Sequence, residues 1–158
     1  MSYPKGAVHP KLVGDRTTAM VLARLLETYE VILLPFGENQ RYDLVIEDKD
    51  GFIRVQCKTG RLQKTGAIKF NTCSSTYHHP NAPTRYGNSQ DYRGEADLFG
   101  VYCPENDSVY MVPVDSVGTR SAFLRIAETQ NNQRKGVRWA RDYLIAAGPS
   151  EPVQAALT

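Results

Sequence analysis

Asp43, Gln56 and Lys58 are the residues of this chain whose types and spacing best suit chemistry at an oxyanion. A carboxylate and an amide oxygen are hard ligands of the kind that Mg²⁺ takes. A lysine beside such an ion can orient or activate water, or stabilise a phosphorane-like charge. Gln56 and Lys58 are two apart, so on a strand they share a face. Asp43 must be brought to that face from elsewhere.

The element that does so is legible in RYDLVIEDKDGFIRVQCKTG, from Arg41 to Gly60. Tyr42 to Glu47 and Phe52 to Lys58 each alternate with a period of two, the strand signal. Between them Asp48-Lys49-Asp50-Gly51 reads as a hairpin turn, with Asp50-Gly51 suited to positive φ. Pairing across that turn sets Asp43 opposite the Gln56–Lys58 region.

The order of an aspartate, a hairpin and then Gln-x-Lys resembles the PD-(D/E)XK nuclease core. The wider chain resembles a branch of that superfamily, the small endonucleases associated with group I introns. The stretches that carry the resemblance are PFGENQRYDLVI, VQCKTGRLQ, IKFNT, YRGEADLFGVYCPENDSVYMVPV and NNQRKGVRWA, in that order between Val13 and Tyr143. Three positions depart from the pattern: Tyr42 stands for the proline, Gln56 for the middle acid, and Thr18 where the first helix usually supplies an acid. The resemblance implies that glutamine is tolerated at the middle position. It implies an α+β fold with a PD-(D/E)XK restriction-endonuclease-like core, a mixed β-sheet flanked by helices. Asp43 would bind the metal, Gln56 add a neutral oxygen ligand and Lys58 position the attacking water. The implied cofactor is Mg²⁺, with Mn²⁺ able to substitute. The implied partner is double-stranded DNA, cut on both strands in the intron-homing manner by a homo-oligomer with twofold symmetry. A Holliday-junction resolvase or a restriction enzyme uses the same core, and a DNA-binding protein that no longer cuts is the rival from another class.

The other candidates are weaker. Asp15 reads both as the N-cap of a helix running to about Glu27 and as a third metal ligand. Glu38 is a loop acid of either ligand or solvated kind. The adjacent pair His78-His79 is a poor metal site, because neighbouring side chains rarely converge on one ion. From Gly51 through Gln90 there is no acidic residue, while Arg54, Lys58, Arg61, Lys64, Lys69 and Arg85 all lie there. Beside a metal-type trio, such a block reads as a phosphate-facing surface rather than a solvated face. Within it, Lys69 and Asn71 share one face of a strand from Ala67 to Thr72. Ser74 to Gln90 has no periodicity and mixes aromatic, basic and small polar residues, which suits a nucleic-acid contact. Arg134, Arg138 and Arg141 fall at i, i+4 and i+7 of a second helix predicted over Gln133 to Ile145, whose inner stripe is Val137, Ala140 and Leu144. They complete the set of candidate DNA contacts.

The remaining elements hold these residues in place. The first helix carries a stripe of Ala19, Leu22, Ala23 and Leu26. Tyr29 to Leu34 is a short apolar strand, and Ala96–Tyr102 and Val109–Val112 form a core hairpin with Asp97 as an acid at its edge. Leu124 to Ile126 is one more short strand. At 158 residues, 41% hydrophobic and 23% charged, the chain reads as one domain, 1–158, with loose tails at about 1–10 and 148–158. No run of roughly 18 apolar residues predicts a membrane span, and MSYPKGAVHP has no signal-peptide core. Cys57, Cys73 and Cys103 are odd in number and widely spaced, which argues against a disulfide scaffold or zinc site and for a reducing cytoplasm.

Overall fold

The computed structural model describes residues 8–75, 89–129 and 134–146. Helix α1 spans Pro10–Leu26. The strands are β1 (Ile32–Leu33), β2 (Leu44–Asp48), β3 (Gly51–Thr59), β4 (Arg61–Leu62), β5 (Ala67–Asn71), β6 (Cys73–Ser75), β7 (Ser89–Asp91), β8 (Leu98–Cys103), β9 (Ser108–Pro113), β10 (Ser121–Arg125) and β11 (Leu144–Ala146). A six-stranded sheet runs β1-β2-β3-β8-β9-β11, a three-stranded sheet β10-β5-β4, and β6 pairs with β7. Within the large sheet β3 and β8 are parallel and every other pair is antiparallel, so the sheet is mixed as expected. Among the described residues no helix is long and apolar enough to cross a membrane.

The large sheet is covered on both faces. Period-two alternation sends Val55 and Cys57 toward α1, where they pack with Val21, Leu25, Leu44 and Ile46. The opposite face carries Phe99, Val101 and Cys103, which meet Ile68 and Phe70 of β5 and Leu124 of β10. Gly100 is the point of closest approach of the helix. A Cβ there would lie 2.8 Å from Val21 Cγ1 and 3.1 Å from Val55 Cγ1. Gly100→Ala is therefore expected to destabilise the fold by about 1–3 kcal/mol, the usual range for overpacking. The check is a urea midpoint that falls while the slope m stays constant; an unchanged midpoint would mean that α1 shifts freely.

Four expectations are corrected. The helix starts at Pro10, capped by His9, whose Nδ1 accepts from Lys11 N at 3.1 Å; Asp15 is no cap but an exposed residue inside the helix. The helix buries Thr17, Val21 and Leu25 rather than the Ala19–Leu26 stripe, and Leu26 is 54% exposed. The two stripes are neighbouring faces of one helix. The close approach at Gly100 and the Thr17–Thr59 hydroxyl hydrogen bond of 2.5 Å select between them. Ser74 to Gln90 is not structureless at its ends, since β6 and β7 pair there from Cys73↔Asp91 to Ser75↔Ser89. The second helix does not form. Gly136 takes φ +76°, Ala140–Asp142 is a single 3-10 turn, and Leu144–Ala146 joins the sheet beside β9. The tail beyond residue 146, His78, His79 and Arg85 lie outside the described residues.

Candidate active site

The hairpin β2–β3 builds the site from local rules. Its register pairs Leu44 with Val55 and Asp48 with Gly51, which carries the positive φ, and Asp50 N donates to Asp48 Oδ1 at 2.8 Å within the turn. Extending that register by one step sets Asp43 opposite Gln56. Asp43 is held there twice: its N–H donates to Val55 O at 2.9 Å, and its Oδ2 accepts from Cys57 N at 2.8 Å. Oδ1 is left unengaged among the described residues. Burial pushes the Asp43 carboxyl above its ordinary value, against the smaller pulls of the Cys57 N–H and the Lys58 charge. Burial drives the neighbouring Cys57 thiol higher still, helped by the Asp43 charge, so Cys57 is a packing residue under α1 and not a nucleophile.

Gln56 and Lys58 stand on the β3 face opposite to Cys57, level with Phe99 and Val101 of β8. Gln56 Nε2 leans on Cys57 O at 3.4 Å, which engages the amine end of the carboxamide and leaves the oxygen end without a hydrogen bond among the described residues. Lys58 Nζ donates to Cys73 O at 3.1 Å and to Tyr92 Oη at 3.0 Å, so one of its three N–H groups remains for a substrate or water.

Tyr92 and Arg41 were not singled out from the sequence. Tyr92 is buried, meets Phe99 edge-on at 5.7 Å, and has Lys58 Nζ 4.4 Å from its ring centroid on one side and the Arg41 guanidinium at 4.0 Å. Arg41 also pairs with Glu95 at 2.5 Å, donates to Ser74 Oγ at 2.6 Å, and donates to the carbonyls of Asp91 and Gln90. It thereby ties the β6–β7 pair to the start of the β2–β3 hairpin. Two charges that only tertiary packing brings to one aromatic ring leave no sequence periodicity; the one hint is that both residues fall inside stretches that carry the family resemblance.

The other candidates scatter. Asp15 is exposed on α1, three residues before Thr18. Glu38 is exposed in the loop before β2. Asp97, at the edge of β8, is occupied by Arg54, whose side chain holds both oxygens and keeps the carboxyl below its ordinary range. Arg61, Lys64 and Lys69 lie exposed on or beside the small sheet. With the second helix gone, Arg134, Arg138 and Arg141 form no stripe. Arg134 is exposed, Arg138 donates through Nε and Nη2 to Ser116 O, and Arg141 stacks 4.9 Å from the Trp139 ring.

Residues 8–146 match the sequence profile of the PD-(D/E)XK endonucleases. This chain belongs to that family. A bacterial homing endonuclease, I-Ssp6803I, has a similar solved structure, with a TM-score of 0.63 and 26% identity over 87% of this chain and 89% of that one. No curated protein matches the chain. Asp43, Gln56 and Lys58 are the candidate site residues of this PD-(D/E)XK endonuclease, in the order Asp, Gln-x-Lys along the β2–β3 hairpin. Among the described residues no group of three or more His, Cys, Asp or Glu side chains is placed to hold a metal ion. The donor set nonetheless fits a hard cation: Mg²⁺ is commonly held by one or two protein oxygens and completed by water and substrate phosphate. Asp43 Oδ1 and Gln56 Oε1 would be two such oxygens, and a carboxylate ionised at a desolvation cost is stabilised by a cation.

Proposed function

We propose that this protein is a Mg²⁺-dependent DNA endonuclease that cuts both strands, of the intron-homing kind. The observation that carries the reading is the hairpin trio: a half-buried carboxylate, a carboxamide and an anchored ammonium on one face of β2–β3, in a chain of an endonuclease family. Asp43 offers a charged oxygen, oriented by the Cys57 N–H, and Gln56 a neutral one. When bound, a divalent ion supplies a Lewis acid for the scissile phosphate and acidifies water. Lys58, held by Tyr92 and Cys73 O, presents its remaining N–H to the attacking water or to a phosphoryl oxygen, where negative charge develops. Cutting both strands takes two sites, so a twofold homo-oligomer follows. Incubation with supercoiled DNA carrying the target is expected to yield linear product with Mg²⁺ or Mn²⁺ and only a mobility shift with Ca²⁺.

Glutamine in the place of the second acid, at position 56, favours one rival, a DNA-binding protein that no longer cuts. A mobility shift with no cleavage in Mg²⁺, Mn²⁺ or Co²⁺ on a selected target would decide for it. Titration offers a separate check on Gln56. Gln56→Glu adds a charged oxygen and is expected to tighten Mg²⁺ binding several-fold, read by calorimetry without any turnover; weaker binding would remove Gln56 from the ligand set.

A further inference from the structure

The small sheet turns an unusual face outward. On β5 and β10, Ile68, Phe70, Ala122 and Leu124 point into the core, while Lys69, Asn71 and Phe123 stand exposed on the other side, Phe123 at 49%. The register sets Lys69 beside Phe123 and Asn71 beside Ser121. Lys69 Nζ lies 5.8 Å from the Phe123 ring centroid, and the Asn71 carboxamide makes no hydrogen bond among the described residues. β4, β5 and β10 hold Arg61, Lys69 and Arg125 and no acidic residue. An open concavity of about 440 Å³ lined by Lys58, Arg61, Lys69 and Asn71 joins this face to the active site.

We propose that the outer face of the β5–β10 ribbon enters the major groove and reads base pairs through Lys69, Asn71 and Phe123, a proposal that rests on the duplex-DNA reading above. A two-stranded ribbon fits the roughly 12 Å width of that groove, and β5–β10 is one at Asn71 and Ser121, beyond the two-residue β4 that flanks β5 only at Ile68 and Lys69. The three groups match its chemistry: lysine donates to guanine O6 and N7, asparagine pairs with adenine N6 and N7, and phenylalanine packs on the thymine methyl. Lys69 and Asn71, two residues apart on one strand, are separated by about 7 Å, or about two base-pair steps. The basic residues around the ribbon complement phosphates, and the concavity leads from the groove-facing groups to Lys58 at the scissile backbone. The reading moves Lys69 out of the set of pure phosphate contacts.

The test recovers duplexes bound in Ca²⁺ from a randomised pool, with the intact chain and with Lys69→Ala, Asn71→Ala and Phe123→Ala. All three side chains are exposed, so the variants keep the core. Each is expected to lose about tenfold preference at one or two adjacent base pairs. The positions lost with Lys69 and Asn71 should lie about two base pairs apart, while affinity for random DNA stays within about twofold and its salt slope is unchanged. Equal losses on selected and random duplexes, or selected sequences identical to wild type in all three variants, overturn the proposal. So does a changed oligomeric state of Phe123→Ala by sedimentation, which would make the face an interface between copies. Wild-type protein that binds but never cuts refutes only the nuclease reading, because the selection uses binding alone; wild-type protein that binds no duplex overturns both.

Discussion

Asp43→Asn is expected to lower Mg²⁺-dependent cleavage by about 10³-fold or more and yet to leave the protein as stable as wild type or more so. The loss follows from removing the charged oxygen that would hold the ion. Metal stabilisation of transition-state charge is worth several kcal/mol, and each 1.36 kcal/mol is about tenfold in rate. The stability follows from the apo site. Asn retains an oxygen for the Cys57 N–H at position 43, and it sheds a carboxylate that burial disfavours. The sign is fixed by linkage. The Asp43 carboxyl in the folded state titrates above its ordinary 3.8, so its ionised form weakens folding at neutral pH. Wild type regains that stability as pH falls through the raised value toward 3.8, and the advantage of the Asn variant disappears in the same window. Thermal melts from neutral to acid pH check this. Mg²⁺ should raise the melting temperature of wild type at neutral pH and leave that of Asp43→Asn unchanged. Native-rate cleavage by Asp43→Asn would place the metal elsewhere.

Lys58→Met is expected to reduce cleavage by about 10²–10³-fold while binding to selected DNA in Ca²⁺ changes only a few-fold. Met keeps the apolar stem and loses the ammonium. Cys73 O and Tyr92 Oη then lose their donor, and an unsatisfied part-buried acceptor costs about 1–3 kcal/mol, so a modest fall in stability accompanies the kinetic defect. Lys58→Arg restores the charge, but a rigid planar fork does not reproduce a point donor set between a carbonyl, a phenol and the substrate. It is expected to recover stability more than rate. Single-turnover cleavage on saturating DNA, beside urea melts of all three proteins, separates the two effects. An Arg variant as fast as wild type would reduce Lys58 to a general positive charge.

What the sequence determined by itself is local. The hairpin from Arg41 to Gly60 was legible because strand alternation and a Gly-containing turn act over a few residues, and a two-residue pleat puts Gln56 and Lys58 on one face without help from the rest of the chain. The division of β5 into an inner Ile68–Phe70 side and an outer Lys69–Asn71 side was legible for the same reason. Tertiary structure decided the rest. Val137, Ala140 and Leu144 carry a helical period, but the edge of β9 needed a hydrogen-bonding partner; Leu144–Ala146 supplied it, and Met111 N found Tyr143 O. Helical propensities differ by only tenths of a kcal/mol per residue among ordinary residues, too little to hold a helix against a sheet edge, and Gly136 at positive φ marks the break. The face that α1 buries was set by the absent side chain of Gly100, far along the chain. The anchoring of Lys58 depends on Tyr92 and Arg41, which come together only after β3 and β8 pair in parallel and β6–β7 folds back against the hairpin. Such long-range contacts follow from the closure of the sheet, which no residue spacing encodes.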